Sequence, residues 1–349
     1  MEDNSVHKTQ QKRFIYTLLI GIILAIVLFY YSLTSGTYAL TFNETLRTLF
    51  FIDQDPQQQL VIFTFRLPRI ILGLLVGLAL GVVGGVLQAI TKNELADPGI
   101  LGIQSAVGFV VVCYLLFVQQ SAVEQSTGGL FSMSTWGWIG GIVACLLLFS
   151  LATQQGTLDP KRLILVGIAL NSGFSALTLF TSLKMNPSDF EMATVWLSGS
   201  IYSASWEQVI SVLVWVVIIV PFFFVFAPIL NVLQFHETTI KSFGVNANLT
   251  RFLFLLGAVG LISASVMVSG AIVFVGLLAP HIARKLVGSN YAYVLPISGI
   301  VGMNLVVLGD LIGRTIFAPA ELPVGIVISI IGVPCFIYQL LRKNKKLGR

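Results

Sequence analysis

Long apolar runs separated by short polar segments dominate the hydrophobic pattern of this 349-residue chain. A membrane-spanning helix needs about 20 mostly apolar residues, because each adds about 1.5 Å across a hydrocarbon core about 30 Å thick. The pattern predicts about ten spans, together with a helix at 189–202 that is too short to cross. The predicted spans are 14–34, 67–90, 97–118, 136–154, 163–183, 207–228, 252–268, 272–287, 293–312 and 323–341.

One apolar run is too long for a single span and short for two. Between Arg251 and Arg284 lie 32 residues without Asp, Glu, Lys or Arg. Basic residues favour the cytoplasmic side of a membrane, so we expect a hairpin with both ends there. Ser269-Gly270 is the expected turn, and Pro280 is an expected helix break.

Composition supports a membrane protein. The chain is 56% hydrophobic and 10% charged, and its mean hydropathy is +0.91, whereas soluble domains carry about 25% charged residues. We therefore predict an all-α polytopic membrane protein, with residues 1–349 forming one transmembrane domain. The six segments predicted to lie on the inner side hold 15 of the 20 Lys and Arg residues, and the segments on the outer side hold the other 5. This bias predicts a multi-pass cell-membrane protein with cytoplasmic tails at 1–13 and 342–349.

Several function classes are disfavoured by what the sequence lacks. The positive charges do not form one patch, so nucleic acid is not an expected partner. The three cysteines lie in apolar runs and no two histidines have metal-ligand spacing, so we expect no metal site. No Gly-Lys dipeptide occurs, so the chain has no Walker A loop. Ser198 and Ser200, with His281, could mimic an intramembrane serine protease, but nothing in the sequence orients them; we expect no catalytic or cofactor-binding residues.

Four glycines in the second predicted span recur at intervals of four residues. Gly73, Gly77, Gly81 and Gly85 fall on one face of a helix, where a neighbouring backbone can approach closely. The spacing predicts a packing surface and needs no further function to explain it.

Three arginines lie on the predicted outer side, although Lys and Arg are concentrated on the inner side. Arg66 and Arg69 precede the second span, and Arg314 follows Asp310 by four residues at the end of the ninth. One interpretation is pairing with lipid headgroups or local carboxylates, including an Asp310–Arg314 pair. The other is a docking surface for an acidic partner outside the membrane.

The predicted inner segment 231–250 is polar but carries exposed-looking apolar residues. We expect a short helix from about Glu237 to Phe243, with Gly244 ending it. The segment could be a solvated connector, or it could dock into a groove of a partner protein.

Motifs along nearly the whole chain resemble the FecCD family of ATP-binding-cassette permeases, which import iron–siderophores, haem and cobalamin. Any one motif alone is weak, and together they are specific. They are RLPR (66–69), Gln88, N-x-LADPGILG (93–102), WLSGS (196–200), LNVL followed by KSFGV (230–245), GAIVFVGLLAPHIARKLVG (270–288), Asp310 with Arg314, ELPVGI (321–326) and GVPCF (332–336).

The resemblance implies a type II importer permease paired with a second copy or a paralogue around a central pathway lined by spans five and ten. It implies two cytoplasmic ABC ATPase subunits, which carry ATP and Mg, and an extracytoplasmic substrate-binding protein. Arg66, Arg69 and Arg314 match arginines that pair with glutamates of that binding protein. The ATPase-coupling segment corresponds to Leu233, Phe235, His236, Thr239, Ser242, Phe243 and Gly244.

The sequence departs from the family pattern at two places. Glu94 stands where a proline is usual, which puts the shape of that turn in question. His236 and Glu237 replace small residues at the start of the coupling segment.

The predicted function is the membrane-spanning permease subunit of an ATP-driven importer for a ferric siderophore. The same architecture carrying haem or cobalamin is the alternative. An ion-coupled secondary transporter is the alternative from a different class, and the nearly charge-free span centres argue against it.

Overall fold

The computed structural model describes residues 2–117 and 133–347, apart from positions 37, 39, 53–54, 155 and 319. Side-chain environments are described from residue 8 to 337, apart from these positions and 118–135. The predicted end of the third span at 118 and the last two residues of the C-terminal tail lie outside the described residues.

The described chain is almost wholly helical. A π-helical turn, Leu60–Arg66, joins the third helix to the fourth, and β1 (Thr153–Gln154) pairs antiparallel with β2 (Thr157–Leu158). The α helices in chain order are α1 Glu2–Thr34, α2 Phe42–Leu49, α3 Pro56–Gln59, α4 Leu67–Thr91, α5 Ile103–Phe117, α6 Met133–Ala152, α7 Pro160–Ser182, α8 Pro187–Leu197, α9 Trp206–Val232, α10 Glu237–Ser242, α11 Ala247–Ser269, α12 Val275–Val287, α13 Tyr291–Thr315 and α14 Val324–Leu347.

Every predicted span coincides with a helix. Six helical stretches are long and apolar enough to cross a membrane: Lys8–Thr34, Pro56–Thr91, Pro160–Ser182, Trp206–Val232, Ala247–Ser269 and Tyr291–Thr315. Three of the remaining predicted spans fall on the shorter apolar helices α5, α6 and the first part of α14. The fourth falls on α12, a 13-residue helix that carries Arg284 and Lys285 in its last turn. The predicted short helix is also present, as α8.

The third span begins later than predicted. Asp97-Pro98 was the expected helix start, but α5 begins at Ile103. The Asp97 carboxylate instead accepts a hydrogen bond from the Gly99 amide at 2.8 Å, and Gly102 adopts a φ of +75°. A local carboxylate–amide bond and a left-handed residue both favour a turn over a helix.

The run between Arg251 and Arg284 forms two helices, with a break at the predicted Ser269-Gly270 turn. α11 ends at Ser269, Gly270 has a φ of +64°, and α12 begins after a non-helical segment that ends at Phe274. The predicted break at Pro280 is wrong, because this proline lies inside α12.

A compensating hydrogen bond explains how α12 tolerates its proline. Pro280 has no amide hydrogen, so the carbonyl of Gly276 one turn earlier loses its helical partner. The side-chain amide of Gln88 donates to this Gly276 carbonyl at 3.4 Å. The helix therefore continues through the proline with its free carbonyl satisfied from α4.

The centre of the molecule is α4, which packs against α9, α11, α12 and α13. All four glycines of its predicted ridge face α13, so that prediction is confirmed. A β carbon on Gly77 would lie 2.4 Å from the carbonyl oxygen of Gly302, and one on Gly81 would lie 2.2 Å from that of Ser298. The two backbones touch because no side chain separates them.

Candidate transport pathway and docking surfaces

A cavity of about 860 Å³ lies beside the break between α11 and α12. Residues of α5, α7, α8 and α14 form its other walls, so the two spans expected to line a pathway, α7 and α14, both border it. Among the described residues that line the cavity, Asp97 is the only charged one. The other lining residues include Ile100, Gln104, Ser105, Asn171, Ser175, Thr178, Leu179, Ser182, Phe190, Thr194, Leu197, Ser198, Val273, Phe274, Val333 and Phe336.

The polar part of the cavity wall presents mainly hydrogen-bond acceptors. The hydroxyls of Thr178, Ser182 and Thr194 each donate to a carbonyl one turn earlier in their own helices, at 2.7–2.8 Å. Gln104 donates its amide to the Ile272 carbonyl at 3.2 Å, and its side-chain oxygen is buried without a hydrogen-bond partner. The hydrogen-bond donors of these side chains are therefore already used within the protein.

Close backbone contacts at three glycines, Gly199, Gly270 and Gly325, join the walls of the cavity. The Gly325 amide donates to the Gly199 carbonyl at 2.9 Å. A β carbon on Gly270 would lie 1.8 Å from the Trp196 carbonyl, and one on Gly325 would lie 2.3 Å from the Ser198 carbonyl. The three glycines lie in the motifs noted in the sequence, but their contacts could not be predicted from it because their partners are far away along the chain.

At one end of the helix bundle, Arg69 joins several elements. Its guanidinium lies 2.8 Å from the carboxylate of Asp310 and 2.8 Å from that of Glu321. The side chain also lies over the ring of Tyr202, 5.6 Å from the centroid. Glu321 was not singled out from the sequence as a partner of Arg69.

The two other arginines of the predicted docking surface are buried. Arg314 donates to the Ser32 carbonyl and hydroxyl and to the Ser35 carbonyl, and lies 3.6 Å from Asp310. Arg66 donates to the Leu33 carbonyl at 2.5 Å and also to the backbone beyond it. Both arginines therefore hold the end of α1 and the first residues that follow it.

Local carboxylate pairing, including the predicted Asp310–Arg314 pair, is thus present in the structure. Docking of an acidic partner on Arg66, Arg69 and Arg314 stays a prediction. Arg69 keeps 13% of its side chain exposed, against 6% for Arg314. Of the three, Arg69 is the side chain best placed to meet a partner directly.

The predicted coupling segment forms a short helix at the other end of the bundle. α10 runs from Glu237 to Ser242, and Gly244 has a φ of +72°, as the sequence indicated. The rings of Phe235 and Phe243 lie 6.3 Å apart and are 53% and 62% exposed.

The other members of the coupling segment divide by exposure. His236, Ser242 and Gly244 are exposed, and Thr239 is partly buried. Leu233 is fully buried in the core of this chain, so its side chain cannot itself contact a partner. The surface that α10 offers is therefore centred on the two phenylalanines.

Contacts from several elements hold α10 in place. The Lys92 ammonium donates to the Phe235 carbonyl at 2.6 Å, and Arg251 donates to Glu237 at 2.6 Å and to the Leu158 carbonyl at 3.2 Å. Partial burial lowers the pKa of Lys92, as does the nearby Arg251, while Glu237 raises it. Because Arg251 is only 1% exposed, the exposed end of α10 is linked to a guanidinium inside the bundle.

A further link runs from α11 to the β hairpin. The side chain of Asn248 accepts from the Leu158 amide at 3.1 Å and donates to the Gly156 carbonyl at 2.5 Å. Between this hairpin and α10 lies a smaller cavity of about 360 Å³. The two elements form one surface at this end of the molecule.

The turn that contains Glu94 keeps a defined shape. Lys92 adopts a left-handed conformation with a φ of +50°, and the Asn93 side chain accepts from the Leu95 amide at 2.9 Å. Glycine or asparagine is usual at such a helix end, so a lysine in this conformation is unusual. The hydrogen bond that Asn93 accepts helps to hold the turn that follows it.

No group of three or more His, Cys, Asp and Glu side chains within the described residues could hold a metal ion. Ser198 donates to the Thr194 carbonyl, and Ser200 accepts from the Tyr202 amide. Both serines take part in local hydrogen bonds with the backbone.

Apolar helices around a weakly polar cavity, with a braced helix at one end, define a multi-pass membrane transport protein. A model of the FecCD transport family matches residues 13–342. This chain belongs to the FecCD transport family.

Curated relatives match over nearly their full lengths. The iron-uptake system permease protein FeuC of Bacillus subtilis is 46% identical over 330 residues, covering 95% of this chain and 98% of the relative. The iron(3+)-hydroxamate import system permease protein FhuG of the same organism is 41% identical, covering 97% of this chain and 100% of the relative. The Fe(3+) dicitrate transport system permease protein FecD of Escherichia coli is 35% identical over 282 residues, covering 81% and 85%.

Two solved structures share the fold. An inward-facing conformation of a metal-chelate type ABC transporter superposes with a TM-score of 0.81 at 29% identity, covering 93% of this chain and 98% of that one. PsaBC from Streptococcus pneumoniae superposes with a TM-score of 0.56 at 17% identity, covering 84% and 94%, which shows the fold alone. The predicted type II importer fold is confirmed.

Proposed function

We propose that this chain is the membrane-spanning permease subunit of an ATP-driven importer for a ferric siderophore. A second copy or a paralogue completes the pathway. The residues that line the 860 Å³ cavity form this subunit's side of it. Two ABC ATPase subunits bind ATP and Mg and perform the hydrolysis, while this chain does no covalent chemistry. Both termini lie in the cytoplasm, as the distribution of Lys and Arg favours.

In this mechanism a loaded substrate-binding protein docks on the end of the bundle that carries Arg69. Movements of the ATPase subunits act on α10 at the opposite end. Because Lys92 and Arg251 tie α10 to α4 and α11, a displacement of α10 moves the helices next to the pathway. The transporter then alternates between inward-open and outward-open states by rigid-body movements of its packed helices.

The single observation that carries this proposal is the exposed Phe235–Phe243 pair, which flanks the braced surface helix α10. Large exposed aromatic side chains on a polar helix are typical of a groove-docking contact. Replacing both phenylalanines by alanine in the reconstituted transporter should reduce co-purification of the ATPase subunits. Leu249→Ala, which truncates a residue that is 54% exposed in the first turn of α11, is the matched control. Normal assembly of the double variant would show that α10 is only a connector.

Support for iron chelates as cargo comes from the relatives, whose names specify iron uptake, ferric hydroxamate and ferric dicitrate. Competition between ⁵⁵Fe-loaded siderophores and unlabelled haem or cobalamin, measured in cells that depend on this transporter, tests the cargo. Competition by haem or cobalamin would favour the alternative cargo. Uptake that is insensitive to vanadate and driven by a proton gradient would contradict the ATP-driven mechanism.

A further inference from the structure

The two carboxylates that hold Arg69 differ in how far they are exposed. Asp310 is buried, with 5% of its side chain exposed, and it also faces Arg314 at 3.6 Å. Glu321 is 32% exposed and pairs with Arg69 at 2.8 Å. A buried carboxylate shared by two arginines is difficult to remove, whereas a carboxylate that is itself partly exposed exchanges more readily.

Arg69 is also the predicted docking arginine with the most freedom to change partner. Arg66 and Arg314 are buried and donate to backbone carbonyls at the end of α1 and just after it. Breaking those bonds would leave buried carbonyls and guanidinium groups without partners, which is costly. For Arg69, a carboxylate that approaches from outside can take the place of Glu321 without unpairing any buried group.

We propose that Glu321 is an internal competitor for Arg69, and that an acidic side chain of the docked binding protein displaces it. This inference rests on the proposed function, because it needs a binding protein at this end of the bundle. Glu321 thereby sets how tightly the binding protein docks: its negative charge must leave Arg69 before the partner's charge can pair there.

Displacement of Glu321 from Arg69 should also affect the cavity, because Glu321 precedes a helix that lines it. Glu321 begins the segment that leads into α14, where the Leu322 amide donates to the Gly313 carbonyl at 3.2 Å. Farther along, the Gly325 amide donates to the Gly199 carbonyl at 2.9 Å, and Phe336 of the same helix lines the cavity. Release of Glu321 removes the side-chain contact with Arg69 that holds the start of α14, so docking loosens one wall of the cavity.

Glu321→Gln tests the competition, since it keeps the shape of the side chain and removes its charge. The probe is the substrate-binding protein encoded beside the permease gene, titrated onto the complete transporter in nanodiscs. We expect docking to become roughly two- to five-fold tighter at low salt, the size of one exposed ion pair, and the gain to shrink as salt screens it. Glu207→Gln removes an exposed charge from the first turn of α9 and should leave the affinity unchanged.

Unchanged or weaker docking of Glu321→Gln would overturn the inference. Arg69→Gln separates this failure from failure of the docking role itself. If Arg69→Gln weakens docking while Glu321→Gln leaves it unchanged, Arg69 binds the partner and Glu321 does not compete. If Arg69→Gln leaves docking unchanged, the docking role of this arginine and the competition are both overturned.

A second measurement needs no binding protein. Phenylglyoxal modifies accessible guanidinium groups, and mass spectrometry of the purified transporter gives the rate at each arginine. Glu321→Gln should increase the rate at Arg69 at least two-fold relative to the exposed Arg47, while Glu207→Gln should not. An equal rate at Arg69 in the wild type and in Glu321→Gln would show that Glu321 does not shield it, and would overturn the proposal.

Discussion

Gly81 of α4 lies so close to Ser298 of α13 that a β carbon on the glycine would stand 2.2 Å from the serine's carbonyl oxygen. This contact forces the two helices to meet backbone to backbone at the centre of the molecule. The atom that faces Gly81 belongs to the backbone, so no side-chain rotation can make room for a β carbon. The position therefore tolerates no larger residue.

Gly81→Ala should destabilise the protein, even though alanine favours helices by about 1 kcal/mol over glycine. Overpacking against a backbone costs about 1–3 kcal/mol. Gly173→Ala is the matched control, because a β carbon on this glycine of α7 meets nothing within 4 Å. Thermal unfolding in detergent should show a lower midpoint for Gly81→Ala alone, and equal midpoints would contradict the packing argument.

Gly270→Ala should be more damaging than Gly156→Ala, although both glycines have positive φ values, of +64° and +76°. Alanine carries a backbone penalty of about 1–2 kcal/mol at either position. Only at Gly270 would the new β carbon collide, at 1.8 Å, with the Trp196 carbonyl. The yield of monodisperse transporter and its thermal midpoint measure the difference. A Gly156 variant as unstable as the Gly270 variant would show that backbone strain alone matters.

Glu237→Ala should destabilise the surface around α10. The change leaves the buried guanidinium of Arg251 without its carboxylate, although the Leu158 carbonyl still accepts from it. Because Glu237 is 48% exposed, we expect a modest loss of about 1–2 kcal/mol, well below that for breaking a fully buried pair.

Lys241→Ala, on the exposed side of the same helix, is the control for Glu237→Ala. Thermal midpoint and ATPase-coupled uptake are the two measurements. Glu237→Ala should lower both, because it loosens the attachment of α10 to α11. A normal midpoint and normal uptake would place the mechanical link elsewhere.

Ser175→Trp should obstruct transport without destabilising the fold. Ser175 is exposed and lines the large cavity, so an indole added there occupies open space and leaves the core intact. Ser172→Trp places the same ring on an exposed position of α7 outside the cavity lining. Iron uptake should fall for Ser175→Trp alone, at an unchanged thermal midpoint. Equal uptake by the two variants would argue against the cavity as part of the pathway.

The sequence alone determined which parts of the chain become helices. About 20 apolar residues in a row leave the backbone no hydrogen-bond partner but itself, so a membrane-spanning run must be helical. The four-residue spacing of glycines placed one face of α4 against another backbone, and Gly244 marked the end of α10. Local signals of this kind need no knowledge of neighbouring helices.

Only the tertiary structure decided which distant groups meet. Arg69 and Glu321 pair across most of the chain length, and Gln88 supplies the hydrogen-bond donor that lets α12 continue through Pro280. Within the coupling segment, packing buries Leu233 and exposes Phe243. Spans that are apolar on every face carry little periodic information about which face turns inward. The positions of the cavity, the arginine contacts and the braces of α10 therefore depend on helix packing, which no local pattern in this sequence specifies.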